Sequence, residues 1–322
     1  LKTAFIPSHF KTATISVIPK ANKDPHLVGS YRPITLAPTL GKTFERIINS
    51  RLLTYTLDKK ILHENQTAFL PGKETTENIL STLQQITNNY NNKKFTLLIA
   101  LDIQQAFDRT WHAGILHTLS NHTSLHFCKI INSFLTNRTI SIKYENTTSK
   151  QQYTPTQGVP QGSPLSPLLF NLLLSTAPFA NTDDVITHNY ADDTFFTASG
   201  KTPTEAWQRL QPHIENFMRW CNKYRLNIQA QKTNATFFTR RRGIPDTYFP
   251  TININNTIIP RSNHLTILGA TLDMRLTLQK HIEKINTGTH ATINKIRKLQ
   301  STHRNIHPWI AILLYKTLIR TK

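Results

Sequence analysis

Residues 185–198 read Val-Ile-Thr-His-Asn-Tyr-Ala-Asp-Asp-Thr-Phe-Phe-Thr-Ala. Two β-rich arms, VITHNY and TFFTA, meet at Ala191, Asp192 and Asp193, and the pattern predicts a hairpin although the turn carries neither Asn-Gly nor Asp-Gly. Upstream, Phe95 to Leu101 (FTLLIAL) is a continuous apolar run that suits a strand buried on both faces, with Asp102 directly after it. The chain has 18 Asp and Glu against 38 Lys and Arg, a net charge of +20. With so few acids, a carboxylate closing a buried strand and two more side by side in a turn stand out. Burying an unpaired carboxylate is costly and adjacent carboxylates repel, so a positive partner is expected, either Lys/Arg or a metal. Ligands that are all oxygen, without His or Cys, suit Mg²⁺ or Mn²⁺ and argue against zinc. Taken singly, each acid also has a plain reading: an Asp after a strand caps a helix, and an Asp pair in a turn is solvated.

Around this centre the periodicity alternates between strand and helix. Thr14 to Ile18 is β-rich and ends at Pro19-Lys20. From Gly41 the pattern turns helical, with Phe44, Ile47, Ile48, Arg51 and Leu52 at three-to-four spacing, and Ile79 to Ile86 predicts another helix with Leu80, Leu83 and Ile86 on one stripe. Phe107, Trp111, Ile115 and Leu119 recur at four-residue steps and predict one helix after the apolar strand. Ser166-Pro167 is a good N-cap and first-position pair for the helix Leu168 to Leu174. Thr202-Pro-Thr-Glu205 is a capping box ahead of a long amphipathic helix with Trp207, Leu210, Ile214, Phe217 and Cys221 inward. Strands are expected around Ala235 to Thr239 and Ile252 to Ile254. The tail is helical and basic: from Arg275 to Lys322 ten Lys/Arg face one acid, Glu283, which suits a backbone-gripping element. No period of 20 to 50 residues repeats, and the irregular mixture reads as α+β.

At 322 residues the chain has room for about two domains or one multi-lobed one. Its charge points to a polyanion, nucleic acid or an acidic membrane surface. No run of about 18 apolar residues exists to span a membrane. Two cysteines, Cys128 and Cys221, exclude a disulfide framework and a Cys-based zinc site, and fit a reducing nucleus or cytoplasm. A start at Leu1 without a signal sequence suggests a fragment of something longer or a trimmed domain.

Five segments in one order carry a resemblance. Tyr31-Arg-Pro-Ile-Thr-Leu36, Phe44-Glu-Arg-Ile-Ile-Asn-Ser-Arg-Leu52, Leu101-Asp-Ile-Gln-Gln-Ala-Phe-Asp108, Gln157-Gly-Val-Pro-Gln-Gly-Ser-Pro-Leu-Ser-Pro-Leu-Leu-Phe170 and Tyr190-Ala-Asp-Asp193 resemble the successive motifs of reverse transcriptases. Their wording is closest to the jockey-like non-LTR retrotransposons. The resemblance begins at Ile6-Pro-Ser-His-Phe10 and Val17-Ile-Pro-Lys20 and ends near His264-Leu-Thr-Ile-Leu-Gly269. It implies a right-hand polymerase fold. Fingers would span 1–95, and a palm with inserted fingers elements 96–265, carrying motifs A, B and C near 102, 161 and 192. Primer grip and partial thumb would span 266–322. The implied activity is RNA-directed DNA synthesis, extending a DNA primer with dNTPs on an RNA template, as in target-primed retrotransposition. The implied cofactor is a pair of Mg²⁺ (or Mn²⁺) ions, and no membrane partner is implied.

The resemblance also implies roles. Asp102 and Asp192 would ligate the ions, with Asp193 the third and less direct acid and the Ile103 carbonyl completing one shell. Phe107 would pack beneath the incoming sugar and exclude a 2′-hydroxyl, a role compatible with membership of the helix core. Gln161 and Gly162 would face nucleotide and template, although the loop alone reads equally as a strand-to-helix connector. Lys20 and Arg32 would neutralise the triphosphate. Lys232, in Asn227-Ile-Gln-Ala-Gln-Lys-Thr233, would protonate pyrophosphate; its plain reading is a solvated strand-edge lysine. Leu268 and Gly269 would grip the primer, the glycine being expected where backbone approaches backbone. Ala68 stands where the family commonly shows Gly, and His264-Leu265 replaces a charged or aromatic lead. His112, His117, His122 and His126 have no metal-ligand spacing and read as solvated. Arg240 to Arg242 reads as a charged loop, with a phosphate contact as the sharper alternative. An RNA-dependent RNA polymerase shares the palm, but Phe107 and Tyr190-Ala191 argue against it. A decayed, domesticated or maturase-like copy is opposed by the intact aspartate set.

Overall fold

The computed structural model describes residues 3–20, 23–145, 147–302 and 307–320. The first half of the chain runs α1 (Ser8–Lys11), β1 (Thr12–Pro19), β2 (Tyr31–Leu36), α2 (Thr39–Asp58), α3 (Thr75–Asn91), β3 (Phe95–Asp102), α4 (Ala106–Arg109), α5 (His112–Ser120), α6 (Leu125–Leu135), β4 (Thr139–Tyr144) and β5 (Thr147–Thr148). The second half runs α7 (Ser166–Leu174), β6 (Val185–Tyr190), β7 (Asp193–Gly200), α8 (Pro203–Lys223), β8 (Asn234–Phe238), β9 (Ile252–Ile254), β10 (Thr257–Ile259), β11 (His264–Ile267), β12 (Ala270–Asp273), α9 (Gln279–Thr302) and α10 (Pro308–Leu314). This is the α+β mixture that the periodicities predict.

The organising element is a four-stranded antiparallel sheet of order β6-β7-β3-β8. Side chains alternate between its faces, and both faces are covered. Leu97, Ile99 and Leu101 of β3 join Phe196, Phe237 and the α8 stripe Leu210, Ile214 and Phe217 in one core. Leu98 joins Phe195 and Phe238 in a second core, closed by Ile86 and Tyr90 of α3 and by Leu265, Ile267 and Leu272 of the β11–β12 hairpin. Double coverage is why the strand reads as nearly unbroken apolar sequence, broken only by Thr96 before Asp102. The leucine-rich α7 is buried at every position but Pro167, as a helix with no charged or solvated face must be, and its Asn171 is paired inside, donating to the Ala68 carbonyl. A second sheet, of order β2-β1-β4-β5, pairs β1 with β4 in parallel, so β4 closes onto the N-terminal strands and β5 extends the sheet from its far edge.

Several local expectations need correction. In α2 the buried stripe is Gly41, Glu45, Ile48, Leu52 and Thr56, while Ile47 is exposed. In α3 Leu80 is exposed and the inward face is largely polar: Asn78 donates to Thr67 Oγ1 and Asn89 to Thr96 Oγ1. The single helix through Phe107 and Leu119 is two, α4 and α5. The carbonyls of Phe107 and Thr110, which a continuous helix would use internally, accept the N–H groups of Val159 and Gly158 instead. Ser166 is not the cap of α7. Leu165 holds that position, Ser163 Oγ accepts the Leu165 N–H, and Ser166 Oγ is buried with no partner among the described residues. The capping box holds by half: Thr202 Oγ1 accepts from Glu205 N, but Glu205 reaches back to Lys201 N. His112 is buried rather than solvated, its Nε2 2.8 Å from the Gly158 carbonyl. Arg240 and Arg241 lie over the rings of Tyr90 and Phe95, at 5.2 and 4.9 Å, rather than in a bare charged loop. Arg304 and Lys322 of the basic tail lie outside the described residues.

His188, buried in β6, stacks on Phe195 with centroids 5.0 Å apart, and its Nε2 finds no partner among the described residues. Burial pushes its pKa down to about 4. The unfolded chain takes up this proton near pH 6.5, the folded chain only near 4. Stability is therefore lost as pH falls through that window, by up to about 3 kcal/mol. His188→Leu is expected to flatten the acid side of the stability curve. Chemical denaturation of both chains at pH 7 and pH 5 checks this, since other groups cancel in the difference. An unchanged slope would remove His188 as its source.

Candidate active site

β3 and β7 pair so that Asp102 lies directly opposite Asp193, and β6 and β7 pair Tyr190 with Asp193. Opposed residues of an antiparallel pair share one face, so the carboxylates of Asp102 and Asp193 emerge together. Ala191 and Asp192 form the two-residue turn beside them. Ala191 takes the positive φ (57°) that a tight hairpin needs at its first central position, a conformation that costs an alanine about 1–2 kcal/mol. Buried Asn189 supports it: its Nδ2 donates to the Ala191 carbonyl at 3.1 Å and to Thr194 Oγ1 at 2.8 Å. The Asn189 backbone is in turn stitched to Asn65 and Thr67. Sequence reading passes over Asn189, because nothing in its type or spacing separates it from a strand-edge residue.

The electrostatics follow from this convergence. Burial, then the charges of Asp192 and Asp102, push Asp193 up to about 6. Burial also raises Asp192, with Asp102 adding to the shift and Arg32 opposing it. Both residues are nevertheless exposed to solvent, so water screens part of this cost. The nearest cation is Lys232, on a short 3₁₀ turn, with Nζ 3.4 Å from Asp102 Oδ2. That turn is docked to β3 by Gln229, whose N–H donates to the Asp102 carbonyl. Asp102, Asp193 and Lys232 line a cleft of about 360 Å³ with Asn234, His264 and Thr266.

Among the described residues no group of three or more His, Cys, Asp and Glu is arranged to hold a metal ion unaided. The donor set nevertheless fits a hard divalent cation completed by other ligands. Three carboxylates converge with one exposed lysine to balance them, and the Ile103 carbonyl accepts no hydrogen bond among the described residues. Mg²⁺ is characteristically held by one or two carboxylates plus substrate phosphates rather than by a closed protein cage.

Phe107, on α4, is half-buried, its ring 4.9 Å from Phe170 and edge-on to Phe69 at 6.5 Å. Gln161 is fixed twice. Its carbonyl accepts the Thr35 N–H at 2.6 Å, and its Nε2 donates to both oxygens of Asp108 at 2.9 and 3.0 Å. Asp108 is thus a site residue that the sequence reading quotes without assigning. Burial raises its pKa, while Gln161 and the charge of Lys20 oppose the shift. Gly162 has φ +108°, and a Cβ there would meet the Thr35 carbonyl at 2.9 Å. Lys20 Nζ also donates to the Gly29 carbonyl. The field of Lys20 therefore reaches Asp108, and that of Arg32 reaches Asp192.

Leu268 and Gly269 are not in this cluster. They form the tip of the β11–β12 hairpin, both with positive φ (46° and 90°). No atom of the chain lies within 4 Å of a Cβ at 269, so within the chain itself the positive φ is what favours glycine there.

The family model for reverse transcriptase (RNA-dependent DNA polymerase) matches residues 18–272. The RNA-directed DNA polymerase from mobile element jockey of Drosophila melanogaster is 31% identical over 327 residues, 99% of this chain and 35% of that protein. The probable RNA-directed DNA polymerase from transposon X-element of the same fly is 29% identical, again over 99% of this chain and 35% of its own length. The chain therefore spans about a third of the length of the curated relatives it matches. Among solved structures, apo telomerase from Candida tropicalis truncated from its C-terminal domain has a TM-score of 0.55 at 15% identity, over 85% of this chain and 55% of that one. The same organism's telomerase in complex with a telomeric RNA fragment has a TM-score of 0.58 at 15% identity, over 85% and 45%. These structural likenesses show the fold.

Proposed function

The chain belongs to the reverse transcriptase (RNA-dependent DNA polymerase) family, and from that premise we propose that it extends a DNA primer with dNTPs on an RNA template, as in non-LTR retrotransposition. The observation that carries this reading is the register that sets Asp102 against Asp193 with Asp192 in the adjoining turn. The right-hand division is proposed with it: fingers 1–95, palm 96–265, primer grip and partial thumb 266–322. The parallel pairing of β4 with β1, Thr139 to Lys143 against Thr12 to Ser16, supports counting that strand among the inserted fingers elements.

In this reading Asp102 and Asp192, with Asp193 and the Ile103 carbonyl, hold two Mg²⁺ ions, which when bound activate the primer 3′-hydroxyl and stabilise the leaving pyrophosphate. The chain's own groups do the rest. Lys20 and Arg32 supply positive charge for the triphosphate, and Lys232 carries a proton at Nζ for the leaving group. Gln161, held by Asp108 and Thr35, presents the loop to nucleotide and template. Leu268 and Gly269 contact the primer from the hairpin tip.

Phe107 is the sugar gate. Its packing against Phe170 makes the ring a fixed wall rather than a mobile one. Phe107→Ala is expected to lower the preference for dNTP over rNTP by roughly tenfold or more. Extension of a DNA primer on an RNA template with Mg²⁺, offering dNTP and rNTP in parallel, tests both claims. No extension by the wild-type chain would overturn the polymerase reading, and an unchanged preference in the variant would overturn the gate.

A further inference from the structure

The loop that carries Gln161 is held from behind by three buried side chains from three separate parts of the fold, two helices and a connection. Glu45, on α2, is 5% exposed; Arg138, between α6 and β4, 7%; His112, opening α5, 9%. The Gly158 carbonyl accepts Arg138 Nη2 at 2.7 Å and His112 Nε2 at 2.8 Å, so the His112 proton sits on Nε2. At the other end Ser163 Oγ donates to Glu45 Oε2 at 2.5 Å and accepts the Leu165 N–H. Behind the loop a small cavity is lined by Phe10, Phe44, Phe134, Glu45, Arg138 and Ser163. A glutamate and an arginine facing phenylalanines both lose hydration. Burial raises the Glu45 pKa and lowers that of Arg138 to about 10, and each group's charge opposes the shift of the other.

A strand-to-helix connector needs no buried charges, and their desolvation is an outlay that a connector alone would not recover. Their bonds go to the two ends of the segment that presents Gln161. We propose that Glu45, Arg138 and His112 are positioning residues, clamping positions 158 and 163 so that Gln161 meets the incoming nucleotide in one geometry. The clamp stands on the described bonds; its ligand rests on the polymerase reading above.

Two measurements on the whole chain separate these layers. In hydrogen exchange, Arg138→Met and Glu45→Gln are expected to speed exchange at least tenfold in peptides covering 157–165, with β3 and β7 unchanged. In primer extension the same variants are expected to raise KM for dNTP about tenfold, with kcat changed less than threefold and primer–template affinity unaltered. Each single variant leaves one charge buried alone, so the double variant is expected to be more stable than either while its KM stays high. A merely structural pair would instead restore KM along with stability. If a charge variant fails to fold, Ser163→Ala removes one anchor and leaves both charges, and a smaller rise in loop exchange is expected from it. Unchanged exchange at 157–165 in Ser163→Ala and in whichever charge variants fold would overturn the clamp, and a normal KM with a loosened loop would overturn its role toward nucleotide. A wild-type chain that incorporates nothing, with loop exchange still responding, would overturn the polymerase reading and leave the clamp standing.

Discussion

Asp192→Asn is expected to abolish nucleotide incorporation while leaving primer–template affinity within about twofold of wild type, because duplex binding draws on many phosphate contacts rather than on one acid. Asp192 sits in the two-residue turn between β6 and β7, beside the cross-strand pair of Asp102 and Asp193. A cation held there would lose one of its few charged ligands. A loss of about 4 kcal/mol of transition-state stabilisation corresponds to a roughly thousandfold fall in rate. The sign on stability is opposite. Burial and the neighbouring charges of Asp192 and Asp102 hold Asp193 above its ordinary range, at about 6. The folded protein therefore binds that proton more tightly than the unfolded chain, and stability declines as pH rises through the window between them. Removing the Asp192 charge relaxes Asp193 toward its ordinary value. The variant is expected to be at least as stable as wild type at pH 7, with a shallower decline. Primer extension, duplex binding and denaturation on one preparation check the three parts. Substantial residual synthesis would remove Asp192 from the metal site, and a clear loss of stability would show that the turn needs its carboxylate for folding.

The sheet and its acids were legible because their physics is local. A strand covered on both faces needs apolar side chains at nearly every position, and Phe95 to Leu101 supplies them at all but Thr96, whose hydroxyl is paired with Asn89; a hairpin declares itself by two β-rich arms. The same logic fails where burial is polar. Asn78, Thr82 and Asn89 line the inward face of α3 because they bond to Thr67, Thr96 and the helix's own backbone, and a hydrophobic stripe cannot report them. The break between α4 and α5 is made by Gly158 and Val159, some fifty residues away, which take the carbonyls that a helix would use. The site divides in the same way. Asp102, Asp192 and Asp193 converge as expected, whereas Asp108 and Asn189 act through partners that only the folded chain brings near, and Leu268 and Gly269 end at a hairpin tip outside the aspartate cleft.

Gly158→Ala is expected to cost both stability and activity, and comparison with Gly243→Ala separates the causes. Both glycines have positive φ, +80° and +66°. A Cβ at 243 would meet nothing within 4 Å, so that variant is expected to lose only the conformational preference, about 1 kcal/mol. A Cβ at 158 would lie 2.4 Å from the Asp108 carbonyl oxygen, a backbone atom that no rotamer change can move. Relief requires the loop to pull away from α4, which breaks the Gly158 N–H bond to Thr110 and the carbonyl's bonds to Arg138 and His112. A destabilisation of about 3 kcal/mol or more is therefore expected, in the range that severe backbone substitutions reach. Gln161 is three residues on and bonded to Asp108, so the same displacement separates the pair that presents the loop to nucleotide. Extension should fall further than the folded fraction does. Denaturation midpoints for the two variants, with extension rates normalised to folded protein, decide the matter. Equal costs at 158 and 243 would mean that the loop yields without strain, and that the contact between α4 and the loop is not what fixes the nucleotide-facing segment in place.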